Sequence, residues 1–287
     1  MNAQRFIIPG GRKIRLSTYK TDYTGSYASK ESAQEKLGKD IAHLIRLQDV
    51  LYAQHAYALL VILQGMDAAG KDGAIKHIMS GVNPQGIEVH SFKEPSAEEL
   101  EHDFFWRTSK ALPRRGTIGV FNRSYYEEVL VPRVHPEVLA RQRLPAACVH
   151  EGIWKRRYED INAFERYLVG NGIIVLKFYL NISRGEQKKR LIGRIDDPDK
   201  QWKFSASDLK TRGYWGRYQK AYEEALSRTS TSWAPWHVVP ADHKWFTRLV
   251  IADIIVSTLT RLKLDYPRLN AQERSHLAHY KKSLELE

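Results

Sequence analysis

Apolar residues gather in five short runs: YALLVIL (57–63), IEVHSF (87–92), TIGVF (117–121), IIVLKFYL (173–180) and WHVVP (236–240). Three are nearly continuous in β-forming residues, as strands covered on both faces of a parallel sheet should be. Between them the period becomes helical. Ser96-Ala97-Glu98-Glu99 fits a capping box, and LEHDFFWRTSKAL after it sets Leu100, Phe104 and Leu112 at helical spacing. IWKRRYEDINAFERYLVGNG places Ile153, Trp154, Tyr158, Ile161, Phe164, Tyr167 and Leu168 on one stripe and stops at Gly170-Asn171-Gly172. KWFTRLVIADIIVSTLTRL predicts a last amphipathic helix. Strands alternating with helices predict a doubly wound α/β sheet.

Residues 184–232 break that alternation, because they separate the fourth and fifth runs without offering a strand. They read as a helical insertion in one domain spanning 1–287, preceded by an N-terminal extension over about 1–40. Charge concentrates in the insertion: residues 184–220 carry eleven basic side chains against five acids, half of the chain's net charge of +12. Such a surplus favours a polyanionic partner, without choosing among nucleic acid, an acidic membrane surface and a phosphate-rich small molecule.

Hydrophobic content of 43% with 27% charged residues is that of a soluble globular protein, and no apolar run approaches the roughly 20 residues of a membrane span. The apolar run before Pro9-Gly10-Gly11 is too short for a secretory signal, so a cytoplasmic protein is expected. Cys148 is the only cysteine, which leaves no internal disulfide or multi-cysteine zinc site; it is expected as a buried filler. Trp202, Trp215, Trp233 and Trp236 are expected to pack rather than to stack on bases.

The chemistry begins at LQGMDAAGKDG. Gly65-Met66-Asp67-Ala68-Ala69-Gly70-Lys71 satisfies G-x-x-x-x-G-K and stands between a strand and a helical pattern, the context that phosphate loop requires. Gly65, Ala68, Ala69, Gly70 and Gly73 are small enough for backbone N–H groups to converge on phosphate, with Lys71 reaching a bridging or terminal phosphate. The Ser or Thr that usually follows the lysine and binds Mg²⁺ is replaced by Asp72. Asp67 inside the loop is the candidate ligand, because a carboxylate beside phosphate makes sense only with a divalent cation between them. Asp72 serves as a phosphate-loop residue or simply as a first-turn acid favoured by the helix dipole.

VFNRSYYEEVLVPRVH ends the third run, where polar residues of such a sheet face the nucleotide. Asn122 stands where an acid is common, and Glu127 or Glu128 could supply the missing charge. Arg123 and Arg133 suit phosphate clamps; the alternative is that these Arg and Glu residues pair along one helix. Asn83, Arg107 and Asn122 are further candidates for nucleotide contacts.

Together with SFKEPSAEELEHDFFWR, FNRSYYEEVLV, EQKKRL, DPDKQWKFS and TSWAPWHVVPADHKW, the loop resembles the successive signatures of polyphosphate kinase family 2 over about residues 15–265. The resemblance implies a thymidylate-kinase-like P-loop fold, with a five-stranded parallel sheet flanked by helices and the insertion as a lid. It implies reversible, Mg²⁺-dependent, in-line transfer of a terminal phosphoryl group from inorganic polyphosphate to AMP or ADP, giving ADP or ATP; Mn²⁺ is an alternative metal. Asp67, Lys71, Arg123 and Glu127 become catalytic, with Asp67 and Glu127 as metal ligands. Arg190, Arg194 and Lys203 become phosphate contacts of the lid. FNRS followed by Glu resembles the class III branch, which accepts both nucleotides, and the family implies a homodimer or homotetramer.

Such chemistry needs no general base, since the acceptor phosphate, with a last pKa of about 6, is already largely ionised at neutral pH. Two other readings compete. An ATP-dependent nucleoside monophosphate kinase shares the fold, but no separate adenine motif accompanies the loop. A nucleic-acid-binding P-loop protein would use the basic insertion, but no reading helix or RNA signature is evident, so neither nucleic acid nor membrane is expected as a partner.

Overall fold

Each of the five apolar runs forms a strand in the computed structural model, which describes residues 2–287. The order along the chain is α1 (Lys30–Gln54), β1 (Ala58–Gln64), α2 (Lys71–Ile78), β2 (Ile87–Ser91), α3 (Ala97–Leu100), α4 (Trp106–Ser109), β3 (Ile118–Asn122), α5 (Glu127–Val134), α6 (Pro136–Ala140), α7 (Ile153–Gly170), β4 (Ile173–Asn181), α8 (Arg184–Ile195), α9 (Ala206–Gly213), α10 (Trp215–Thr229), β5 (Trp236–Pro240), α11 (Lys244–Arg261) and α12 (Ala271–Leu284). The strands make one parallel sheet in the order β2-β3-β1-β4-β5. β1, with every residue buried, is its centre. That burial explains the unbroken ALLVIL, since helices α1, α2 and α11 pack together in one layer and α5, α7 and α10 in the other.

The sheet reverses its order beside β1: the chain passes from β1 to β2 and β3 on one side, then to β4 and β5 on the other. Ligands of open α/β sheets bind at the carboxyl ends of strands at such a switch point, and the loop 65–70 follows β1 there.

Several expectations need correction. LEHDFFWRTSKAL does not form one helix. The Ser96–Glu99 capping box is present, but the helix ends after Leu100, and Asp103 accepts the Phe105 N–H in a turn before α4 starts. On α7, Tyr167 is 66% exposed, and the buried stripe takes in Arg157 and Glu165 instead. α11 is neither amphipathic nor last: twelve of its eighteen residues are buried, and α12 follows it, with none of its own residues buried. The stretch expected as an extension is continuous with the core, because α1 runs across residue 40 to pack on α11, and Ile7 bridges to His237 of the edge strand β5. Cys148 is exposed, in a surface turn after Pro145. Trp236 is buried as expected, whereas Trp202 is 76% exposed with the Lys203 ammonium 4.9 Å from its ring centroid. Residues 184–229 are helical without a strand.

A candidate phosphotransfer site at the end of the central strand

Gly65 turns the chain out of β1 with φ +153°, and a Cβ there would stand 2.9 Å from Leu180 O, so only glycine fits. Gly70 caps α2 in a left-handed conformation, and no side chain caps that helix end. The first amides of α2 therefore have no internal acceptor and, with the helix dipole, form an anion site. Ala68 has φ +59°, a conformation that costs a non-glycine residue about 1–3 kcal/mol and is held only where the surroundings over-determine it.

Lys71 folds back over this loop. Its Nζ donates to Gly65 O (2.7 Å) and Met66 O (3.3 Å), and its side chain is buried. Burial, then the neighbouring Arg123 guanidinium, lowers its pKa to about 8, against the opposing pull of Asp67, Glu127 and Asp72. This lysine is short of negative charge, as a phosphate ligand would supply.

Arg123, the residue after β3, also lies in the left-handed region, with φ +65°. It therefore precedes α5 rather than sharing it with Glu127. Its Nη2 donates to Asp67 Oδ1 at 2.8 Å, and Nη1 lies 3.7 Å from Glu127 Oε2. The charge of Glu127, followed by that of Asp67, raises its pKa against burial. Thus Asp67, Arg123 and Glu127 meet, and one guanidinium spans two carboxylates. Gln64, missed from the sequence, ends β1 fully buried beneath them. In the amide orientation that satisfies its neighbours, it donates to Glu127 Oε1 (3.0 Å) and accepts from Ser124 N and Oγ. Asn122 donates to Asp72 Oδ1 at 2.5 Å, tying the first turn of α2 to β3.

Beside these groups opens a cleft of about 490 Å³, lined among others by Asp67, Lys93, Arg107, Arg123, Glu127, Asp208 and Tyr218. Arg107 forms its wall but is committed, donating to Glu128 Oε1 (3.0 Å) and Lys93 O (2.8 Å). Glu128 also accepts from Gln142; burial raises its pKa against Arg107 and Arg157. Glu128 therefore shapes the wall, while Glu127 faces Arg123. Asp208, on α9, pairs with Arg194 at 3.2 Å; burial and then Asp67 raise its pKa.

Other predicted residues go elsewhere. Asn83 precedes β2, and so lies at the opposite end of a parallel sheet from the phosphate loop; its side chain accepts from Gln85 N. Arg133 is nearly two turns along α5 from Glu127, and its guanidinium is held by Glu224 (2.8 Å) and Tyr158 OH (3.0 Å), away from the loop. Arg190 has all five N–H groups engaged: Nε to Glu186, Nη1 to Ala68 O and Ala69 O, Nη2 to Ala241 O and Asp242 O. It braces the outside of the loop and has no donor left for phosphate. Arg194 donates to Lys203 O and Asp208.

The cations facing the loop from outside come from α11. A side chain at Gly73 would lie 3.7 Å from Arg248 Nη2. Burial, then Arg190, lowers the pKa of both Arg248 and Lys244, and neither forms an ion pair among the described residues. Sequence reasoning gave neither a role, although Lys244 stands in TSWAPWHVVPADHKW, because they are separated by almost 180 residues from the loop they flank.

The chain is similar to known proteins at three levels. The family model described as polyphosphate kinase 2 matches residues 27–267. An ADP-polyphosphate phosphotransferase of Rhodopseudomonas palustris is 46% identical over 99% of both chains. An AMP/ADP-polyphosphate phosphotransferase of Meiothermus ruber is 42% identical over 91% of this chain and 93% of its own. The crystal structure of polyphosphate kinase 2 from Arthrobacter aurescens superposes with a TM-score of 0.86 at 40% identity, over 96% of each chain. With a matching family model, full-length relatives and a shared five-stranded parallel fold, the chain belongs to the polyphosphate kinase 2 family.

Proposed function

We propose that this protein transfers the terminal phosphoryl group of inorganic polyphosphate to AMP or ADP, reversibly and with Mg²⁺. The observation that carries the reading is the pairing of Asp67 and Glu127 around Arg123, between an open helix N-terminus and a nucleotide-sized cleft. The names of the Rhodopseudomonas and Meiothermus relatives support the substrates, and the latter supports use of both nucleotides.

The donor's terminal phosphates lie on the amides of Gly70 to Gly73 with Lys71, and the rest of the polyanion follows Arg248 and Lys244. Neither cation forms an ion pair among the described residues, as expected of a surface awaiting phosphate charge. The acceptor nucleotide occupies the cleft. Its terminal phosphate oxygen attacks the terminal phosphorus of polyphosphate in line, the bond to the bridging oxygen breaks, and polyphosphate leaves one residue shorter. Arg123 spans the meeting point and neutralises the equatorial oxygens, while Lys71 neutralises the donor; positioning and charge supply the acceleration.

Two carboxylates about one guanidinium fit Mg²⁺, which usually takes one or two carboxylates and completes its shell with phosphate and water. Asp67 and Glu127 would hold it, and the ion would offset phosphate charge between them. In this reading α8 to α10 form the lid, tied by the Arg194–Asp208 pair. Assembly as a homodimer or homotetramer is included, supported by the exposed Leu277, Tyr280 and Leu284 of α12. No described helix is long and apolar enough to cross a membrane, which is compatible with a cytoplasmic enzyme.

A donor exchange tests the reading: initial rates with AMP and with ADP, each with polyphosphate or with a nucleoside triphosphate as donor. Faster turnover with polyphosphate supports it. Turnover of AMP by ATP alone would make the protein a nucleoside monophosphate kinase.

A further inference from the structure

Tyr125 and Tyr126 separate Arg123 from Glu127 without touching the phosphate site, and beneath them lies an ion pair with no solvent exposure. Lys177 Nζ, from the core strand β4, meets Glu165 Oε2 of α7 at 2.5 Å, both side chains 0% exposed. Both tyrosine hydroxyls donate to Glu165 Oε1, at 2.9 and 2.8 Å. Lys177 also donates to Tyr126 OH (3.0 Å) and to Thr229 O (2.7 Å), the last carbonyl end of α10. All three ammonium donors are thereby satisfied, one of them at a helix C-terminus where a cation is favoured.

A buried ion pair is weak ground for stability, since apolar side chains of similar volume serve the fold as well or better. What this one adds is geometry. It joins β4, α7 and α10 to the turn 123–127, whose first residue is in a strained left-handed conformation and whose last carries a site carboxylate. Inside that turn, Ser124 Oγ accepts from Tyr126 N. Among the described residues, the hydroxyls of Tyr125 and Tyr126 thus make the only side-chain hydrogen bonds from the turn to the pair.

We propose that Glu165 and Lys177 are positioning residues for phosphoryl transfer: through Tyr125 and Tyr126 they set Arg123 and Glu127 against Asp67, and through Thr229 they fix the same turn to α10. The inference rests on the proposed phosphotransfer reading. A misplacement near 1 Å of groups that act by position costs on the order of 100-fold in rate.

The test compares full-length wild type with Tyr126→Phe, Tyr125→Phe/Tyr126→Phe and Glu165→Leu/Lys177→Met, in polyphosphate-driven ATP formation with thermal unfolding measured in parallel. The Leu/Met variant should fold and lose about 10-fold or more in kcat, while KM for polyphosphate and nucleotide stays within about three-fold, because the binding groups are untouched. Tyr125→Phe/Tyr126→Phe, which removes only two oxygens, should show the same split in smaller measure and carries the test if the Leu/Met variant does not fold. Wild-type kcat in either folded variant overturns the inference while leaving the activity established. If the wild type itself forms no product, the phosphotransfer reading fails. The positioning claim is then decided by the crystal structure of Tyr125→Phe/Tyr126→Phe: a shifted Arg123 supports it, and a superimposable turn overturns it.

Discussion

Lys71 can be stripped of its charge by pH alone. Burial and Arg123 bring its pKa from 10.5 to about 8, which corresponds to about 3 kcal/mol at about 1.4 kcal/mol per pH unit. The folded protein holds this proton less tightly than the unfolded chain. The penalty is therefore fully present below about pH 8 and fades as pH rises toward 10.5, so this group alone makes the fold more stable on raising pH through that window. Activity runs the other way. The free enzyme loses the cation above about pH 8, and kcat/KM for polyphosphate should fall, approaching 10-fold per pH unit. Bound phosphate favours the charged lysine, so kcat at saturating polyphosphate should hold level over the first unit of that fall. The assay is the initial rate of ATP formation from polyphosphate and ADP between about pH 6.5 and about pH 10, with magnesium in excess. Lys71→Arg keeps its charge throughout, so its residual activity should lack the alkaline fall. A level kcat/KM to pH 10, or the same fall in Lys71→Arg, would refute the reasoning.

Asp67→Asn should lower kcat by about 100-fold or more, the scale of several kcal/mol of lost charge stabilisation, yet change stability by less than about 1 kcal/mol because its pair with Arg123 is partly exposed; steady-state kinetics and thermal unfolding check both. Glu127→Ala should raise the magnesium concentration needed for half-maximal rate, and an unchanged magnesium response removes it from the ligand set. Lys244→Ala/Arg248→Ala should raise KM for long-chain polyphosphate several-fold, more at low salt than at high salt, with KM for ADP unaltered; an unaltered polyphosphate KM places the polyanion elsewhere. Gly65→Ala should destabilise by well over 1 kcal/mol in denaturant unfolding, since its Cβ would meet Leu180 O at 2.9 Å in a left-handed backbone.

The strands and the phosphate loop were legible because their signals are local: buried strands leave unbroken apolar runs, and Gly65 to Lys71 are contiguous. Asp67, Arg123 and Glu127 were legible as a group through the resemblance, and the structure brings their side chains together. The roles of the other arginines were not legible, because a guanidinium's partners are set in three dimensions. Arg190 and Arg133 are occupied by carbonyls, Glu224 and Tyr158, and Arg248 arrives from a distant helix. One signal was available and unused: the lone charge in IIVLKFYL is Lys177, and a cation in the buried part of a strand must have a buried partner. LEHDFFWRTSKAL misled because Asp103 offered its carboxylate to the backbone, a local bond that competes with helix.

The most direct measurement is a phosphorus NMR time course of the purified full-length protein with polyphosphate, Mg²⁺ and ADP, with no ATP present at the start. The account predicts growth of the three ATP resonances with matching loss of polyphosphate signal, and no such growth with Asp67→Asn on the same time scale. With AMP in place of ADP, ADP should appear first and ATP after it. An absence of nucleotide product with polyphosphate of every length tried would contradict the account.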